Sequence, residues 1–151
     1  MKKVLNHPNM ADSDIKKALL TAAKTFLEAQ GFTGAIHWEN RVFDPSGLQK
    51  WASIFHIPNQ PSVVTLGTGG LDRETGFLQI DFNIPQNTGD GALNTWADAA
   101  RGEFIAGKSY TFSGQTIIIL NTGIGAGRNV DSWFRKSLTI NYRADLTRAI
   151  I

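Results

Sequence analysis

The sequence contains no cysteine, which excludes disulfides, thiolate nucleophiles and cysteine-ligated zinc or iron–sulfur centres and fits a reducing compartment. No apolar run reaches the roughly 18 residues that suggest a membrane-spanning helix. The opening MKKVLNHPN is too short and too polar for a secretory signal. Histidine is scarce: His7, His37 and His56 are the full set, and no H-x-x-x-H or H-E-x-x-H spacing joins them. A G-x-S-x-G elbow is missing, so no serine nucleophile is signalled. Nor does one sign of charge dominate. The formal charge of +2 is accounted for by Lys2 and Lys3, so residues 10–151 balance at zero. That removes the clustered basic face expected of a nucleic-acid binder.

What remains is the composition of a folded soluble domain, 42% hydrophobic and 19% charged, long enough to bury roughly two-thirds of its unfolded surface. Residues 1–10 read as a loose arm, 11–148 as one domain and 149–151 as the C-terminal end. ADSDIKKALLTAAKTFLEAQG predicts a helix with Ile15, Ala18, Leu19, Ala22, Phe26 and Ala29 on one face, capped by Asp12 or Ser13 and stopped at Gly31. Strand signals follow. AIHWENRVF places Ile36, Trp38 and Val42 on one side and His37, Glu39 and Arg41 on the other, before a DPSG turn at 44–47. KWASIFHI and SVVTL are further candidates. LGTGGLDRETG, residues 66–76, reads as a long flexible connector. FLQIDFNI then alternates, with Leu78, Ile80, Phe82 and Ile84 inward and Gln79, Asp81 and Asn83 outward. A second helix carries Leu93, Trp96, Ala97, Ala100 and Phe104, with Gly107 as its stop. SYTFSGQTIIIL predicts a hairpin turning at Ser113-Gly114, and FRKSLTINYRADL a final strand with Phe134, Leu138, Ile140 and Tyr142 inward. The order implies an α+β domain: an antiparallel or mixed sheet with two main helices packed on one face.

Two glycine clusters raise the question of phosphate binding. In IIILNTGIGAGR, Gly123 and Gly125 fit the first two positions of a dinucleotide turn, but the sixth is Arg128, and NVDSWF leads into a strand instead of a helix. The stretch also lacks Gly-Lys-Ser/Thr. A mobile connection over residues 121–132, with Gly123, Gly125, Gly127, Arg128 and Asp131, is the better reading. The second cluster comprises Gly67, Gly69, Gly70 and Gly76 with Asp72, Arg73 and Glu74 between strands, where a partner contact or a solvated hairpin tip both fit. His37 and Glu39 share a strand face with Arg41, which suits a metal, an acid–base pair or simply a wet side. A glycosidase needs two carboxylates in a cleft, for which Glu39, Asp44 and Asp81 are candidates only in being acidic. SWFRKS and the four tryptophans, Trp38, Trp51, Trp96 and Trp133, fit packing better than base stacking. No catalytic, cofactor or metal site emerges.

The order of landmarks carries a resemblance. WENRVFDP at 38–45, Trp51, a glycine-rich gap before an alternating strand, WADAARGEFIAG, a Tyr-x-Phe-x-Gly hairpin at 110–114, and Trp133 leading into LTINYRADL follow one another. The chain resembles, over residues 11–148, the tail terminator proteins of long-tailed non-contractile bacteriophages, related to the minor tail protein U type. The resemblance implies an α+β subunit of a six-membered ring at the head-proximal end of the tail tube. Such a ring stops tube growth and offers a surface to head-completion proteins, without catalysis or cofactor. Implied partners are the chain itself, the major tail tube protein and a head-completion or connector protein, with no membrane and DNA only in passage. The implied location is the virion tail, assembled in the host bacterial cytoplasm. Asn40, Phe43, Pro45, Trp51, Trp133 and Tyr142 match scaffold landmarks. The two glycine loops are expected to order at subunit or tube contacts. The competing expectations are another head–tail joining or baseplate subunit, a small enzyme using the His37, Glu39 and Arg41 face, and a DNA-binding module.

Overall fold

The computed structural model describes residues 12–148; the expected arm, Ala11 and residues 149–151 lie outside it. Within the described residues the order is α1 (Asp12–Ala29), β1 (Ile36–His37), β2 (Trp51–Pro58), β3 (Ser62–Val63), β4 (Leu71–Pro85), α2 (Gly91–Glu103), β5 (Ser109–Phe112), β6 (Gln115–Ile124), β7 (Arg128–Val130) and β8 (Trp133–Thr147). The strands form one mixed sheet in the order β1-β2-β4-β8-β6-β5, with β3 added to β4 and β7 to β8. Only β1 and β2 pair in parallel. This is the expected α+β architecture.

The sheet is built around β4 and β8. They pair antiparallel through fifteen residues each, from Leu71 opposite Thr147 to Pro85 opposite Trp133. At roughly 3.4 Å per residue this ribbon spans about 48 Å. Its front face carries Leu78, Ile80, Phe82 and Ile84 beside Leu138, Ile140 and Tyr142, all buried, as the alternation predicted. Both helices cover that face. Phe32, just past α1, packs 4.7 Å from Trp96 of α2 and 5.8 Å from Phe82, and Phe26 meets Phe104 edge-on at 5.5 Å. Each fully buried side chain of this size contributes about 1.5–3 kcal/mol.

Several details depart from the sequence reading. In α1 the buried stripe includes Ala23 and Leu27, whereas Ala29 is exposed and Ala22 half-buried. The larger apolar surface of Leu27 decides the helix's rotation. Gly31 ends the helix as expected, at φ 89°: its N–H reaches Glu28 O and the Phe32 N–H reaches Leu27 O at 2.9 Å. Both orphan carbonyls are thereby satisfied and Phe32 turns inward. α2 stops at Glu103, earlier than Gly107, because Phe104 leaves the helix to bury its ring. The Gly107 N–H pairs with Ile119 O instead.

The expected strand over AIHWENRVF shrinks to Ile36–His37, and Val42, placed inward by alternation, is fully exposed. SVVTL gives two strand residues. The supposed connector 66–76 is half strand, since β4 already begins at Leu71. Likewise Gly123 lies within β6 and Arg128 within β7, leaving 125–127 between them and a two-residue turn at Asp131-Ser132. The hairpin at Ser113-Gly114 is as expected, with both residues at positive φ, 52° and 83°, as a type I′ turn requires.

Gly76 sits opposite Tyr142 in the central pair. A Cβ there would lie 2.6 Å from Ile57 O, 2.8 Å from Pro58 Cα and 3.0 Å from the Tyr142 hydroxyl. Two of those neighbours are backbone and cannot swing aside. Gly76→Ala is therefore expected to destabilise the fold by about 1–3 kcal/mol, read as a lowered urea midpoint; an unchanged midpoint contradicts this packing.

Candidate functional site

Three of the landmark residues, Phe43, Trp51 and Trp133, come together on the back face of the sheet. Past His37 the chain turns at Asn40, whose φ of 55° is tolerated by asparagine. It then carries Phe43 over Trp51. His37 stacks on Phe43 at 5.4 Å, Phe43 lies 5.3 Å from Trp51, and Trp51 meets Trp133 edge-on at 5.8 Å. Asp44 closes the following turn: its Oδ1 accepts from the Ser46 N–H and hydroxyl, which hold the carboxyl below its usual range. Pro45 O accepts from the Leu48 N–H. His37, Phe43, Trp51 and Trp133 thus form one cap over the Pro85 end of the ribbon, Asn40 and Pro45 lie in the turns on either side of Phe43, and Tyr142 belongs to the core.

Beneath that cap lie Asp81 and Asn83. They point away from the helices, as expected, yet both are buried. Their burial is tolerated because each is bonded. Arg135 Nε donates to Asn83 Oδ1 at 2.7 Å, and Asn83 Nδ2 donates to Trp51 O and Asp81 O. The Ser137 hydroxyl and Gln79 amide donate to Asp81 Oδ1 at 2.6 and 2.9 Å. The Arg135 guanidinium lies 5.9 Å from the Trp51 ring.

The proposed catalytic face does not assemble. Because β1 ends at His37, Glu39 is not its strand neighbour. Glu39 pairs with Lys16 at 3.0 Å and accepts from the His56 N–H, while His37 Nε2 contacts Arg41 O. Instead, a different set meets in the core. The Tyr142 hydroxyl donates to Glu74 Oε2 at 2.6 Å and lies 2.6 Å from His56 Nε2. With its hydrogen committed to Glu74, it accepts from the imidazole N–H. Burial dominates the titration of all three. It pushes Glu74 up to about 7, an effect reinforced by nearby Asp12 and opposed by the tyrosine's hydrogen bond; it raises Tyr142; and it lowers His56, with Lys16 adding to the drop. His56 and Glu74 were readable as inward, being in phase with Ala52 and Ile54 and with Leu78 respectively; the loop assignment hid Glu74.

At the Leu71 end, the first glycine cluster is held by Arg148, which no motif singled out. Arg148 Nε donates to Gly67 O at 3.0 Å, and its other nitrogens reach Thr65 O, Leu71 O and the Asp72 carboxylate. Arg73 forks onto Asp145 at 2.8 and 3.2 Å. Gly67 and Gly69 adopt positive φ, and Gly70 leaves no room for a Cβ against Thr65 O. The tip is therefore structured in the single chain. On its surface Val63, Val64 and Leu66 stay exposed, at 60%, 44% and 88%. In the second cluster Gly127 lies under the Phe134 ring, Arg128 donates to the Ser137 hydroxyl, and Asp131 takes the left-handed position of the β7–β8 turn.

A groove of about 550 Å³ runs between α1, α2 and β5, lined by Ala18, Ala22, Phe26, Gly102 and Tyr110. Its one carboxylate, Glu103, is occupied by Lys108 at 2.6 Å and Tyr110 at 2.7 Å, which hold it below the usual range. Among the described residues no cluster of three His, Asp or Glu side chains suits a metal, and no helix is long and apolar enough to cross a membrane.

Against known proteins, a family model described as phage tail terminator protein matches residues 14–142. No curated protein matches. Ten chains of solved structures do; one, bearing no functional description, is 14% identical with a TM-score of 0.72, over 89% of this chain and 96% of that one. That likeness concerns the fold.

Two measurements probe this geometry. Between pH 4.5 and about 7 the folded state holds a proton on Glu74 that the unfolded chain has released. This group therefore makes stability fall as pH rises through that window, while His56, depressed in the fold, costs stability below pH 6.5. Glu74→Gln is expected to gain stability relative to the unchanged protein by roughly 1–3 kcal/mol between pH 5 and pH 8, measured by urea unfolding; parallel pH profiles would contradict it. Arg148→Ala should speed amide exchange over residues 64–71 at least about tenfold, and unaltered protection would show that the tip holds itself.

Proposed function

Because the chain belongs to the phage tail terminator family, we propose that it is the subunit of a six-membered ring capping the head-proximal end of the tail tube. The ring halts addition of tube subunits and presents the opposite surface to a head-completion protein. The match to the family over residues 14–142 carries this reading. The structure is consistent with work done by surfaces: the buried acids Glu74 and Asp81 and the groove acid Glu103 are each engaged by neighbouring side chains.

The physics of such a role needs only shape. A closed ring requires two different patches of one subunit to meet at an angle that closes. One ring face must fit the tube end and the other must not, so that the next tube ring finds no complementary surface. Six weak contacts suffice together, because once the first engages the rest become intramolecular. DNA passes through the centre without being read. The chain acts in the tail of the virion, after assembly in the bacterial host.

Deleting the gene from the phage that carries it is expected to give tubes of uncontrolled length under the electron microscope. Tails of normal length that lack heads, or that lack a tip, would instead assign the chain to a joining or baseplate position.

A further inference from the structure

Glu74 is buried on β4 without a lysine or arginine beside it. Among the described residues its one ion-pairing contact is the His56 imidazole, 3.9 Å away on β2, and burial drives that ring toward its neutral form. Two other polar groups reach Glu74. The Tyr142 hydroxyl donates to Oε2 at 2.6 Å, and Asp12, the first residue of α1, shares a hydrogen bond with the same carboxyl. Two carboxyl groups can share a hydrogen bond only if one of them carries a proton. The proton belongs on Glu74, which water barely reaches. The charge belongs on Asp12, which is exposed and lies at the positive end of the α1 dipole.

With that proton in place every bond in the corner runs one way. The His56 imidazole donates to the Tyr142 oxygen, the Tyr142 hydroxyl to Glu74, and the Glu74 carboxyl to Asp12. The other charged groups here are engaged with each other. Lys16, one turn along α1, holds Glu39 at 3.0 Å, and Glu39 also accepts from the His56 N–H. Without the proton the Tyr142 bond survives, but the bond to Asp12 cannot. Two like charges then face each other while Lys16 is already taken.

We propose that this corner is a proton-operated latch: neutral Glu74 ties the first turn of α1 to β4 through Asp12, and ionised Glu74 releases that turn. The Lys16–Glu39 pair, which links the same turn to the segment after β1, is released with it. The latch is a property of the single chain and holds whether or not the chain forms a ring. Its sign follows from burial. Glu74 is pushed up to about 7 in the closed corner and returns toward 4.5 once the turn lifts into water. Opening therefore becomes easier as pH rises from 4.5 to about 7 and levels off above.

Hydrogen exchange on the full chain reads this at the amides of Lys16–Leu19, whose helical bonds run back to residues 12–15. Their rate is divided by that in Glu74→Gln at the same pH, which cancels the base catalysis of exchange. The ratio should rise at least about tenfold between pH 5 and pH 7.5. Glutamine is neutral throughout and its amide can donate to Asp12, so that variant stays latched. Asp12→Asn, at an exposed position, should shrink the rise, because its amide can donate to an ionised Glu74. A ratio flat with pH overturns the latch. So does a rise undiminished in Asp12→Asn, which would leave burial alone as its cause. A rate common to Lys16–Leu19 and the β4–β8 ribbon would mean that the whole chain unfolds, and overturns it too.

Discussion

The pairing of β4 with β8 is the constraint from which the rest of the molecule hangs. Fifteen consecutive residue pairs fix a ribbon whose two faces have incompatible chemistry. One face presents Leu78, Ile80, Phe82, Leu138 and Ile140 to the helices; the other presents Asp81, Asn83, Arg135 and Ser137 to one another. A slip of one residue would turn every side chain to the wrong face. The apolar set would meet solvent, and four polar groups would enter the core without partners. Register is thus specified twice, by burial on the front and by hydrogen bonds on the back. Both ends of the ribbon inherit that precision: β3 and its tip sit at the Leu71 end, β7 and the aromatic cap at the Pro85 end.

The core polar set, Glu74, Tyr142 and His56, reinforces the same register from a third strand. Tyr142 stands opposite Gly76, and only there does its hydroxyl reach Glu74 on β4 and His56 on β2 together. Burying a carboxyl and an imidazole costs stability unless their bonds are made. The costs are opposed in sign with pH, since Glu74 resists losing its proton and His56 resists gaining one. The cluster is therefore best tolerated when both are neutral, hydrogen-bonded through one hydroxyl.

Legibility in the sequence followed the strength of periodicity. Leu78 to Ile84 and Phe134 to Tyr142 alternate so cleanly that the inward face is legible directly, whereas their pairing with each other is not, and both helices announce themselves by spacing. Two of the differences share an origin, since glycine reads locally as a break in the chain. Gly76 and Gly123 are strand residues, one required by a close neighbour and the other by none within the chain. WENRVF failed oppositely, since its alternation is real but the segment folds over Trp51 as a cap, a tertiary packing that no local period encodes. Arg148, which organises the Leu71 end, lies 81 residues from Gly67 and had no motif to mark it.

The asymmetry between the two sheet edges follows from treating an unpaired strand as a hazard. An open edge invites pairing with any extended chain, and soluble proteins blunt it with charge, proline or cover. This chain does so along β2, where Glu39 and Pro58 take the exposed positions. It does not do so along β6 from Leu120 to Gly125, where the side chains are leucine, asparagine, threonine, isoleucine and glycine and the nearest charged residue beyond Gly125 is Arg128. The unprotected stretch is continuous with β5, the last strand of the sheet, beyond which no strand lies among the described residues. Protection on the β2 side and none on the β6–β5 side make the two sides of the sheet unlike, and a head-to-tail contact between copies needs two unlike patches on one subunit.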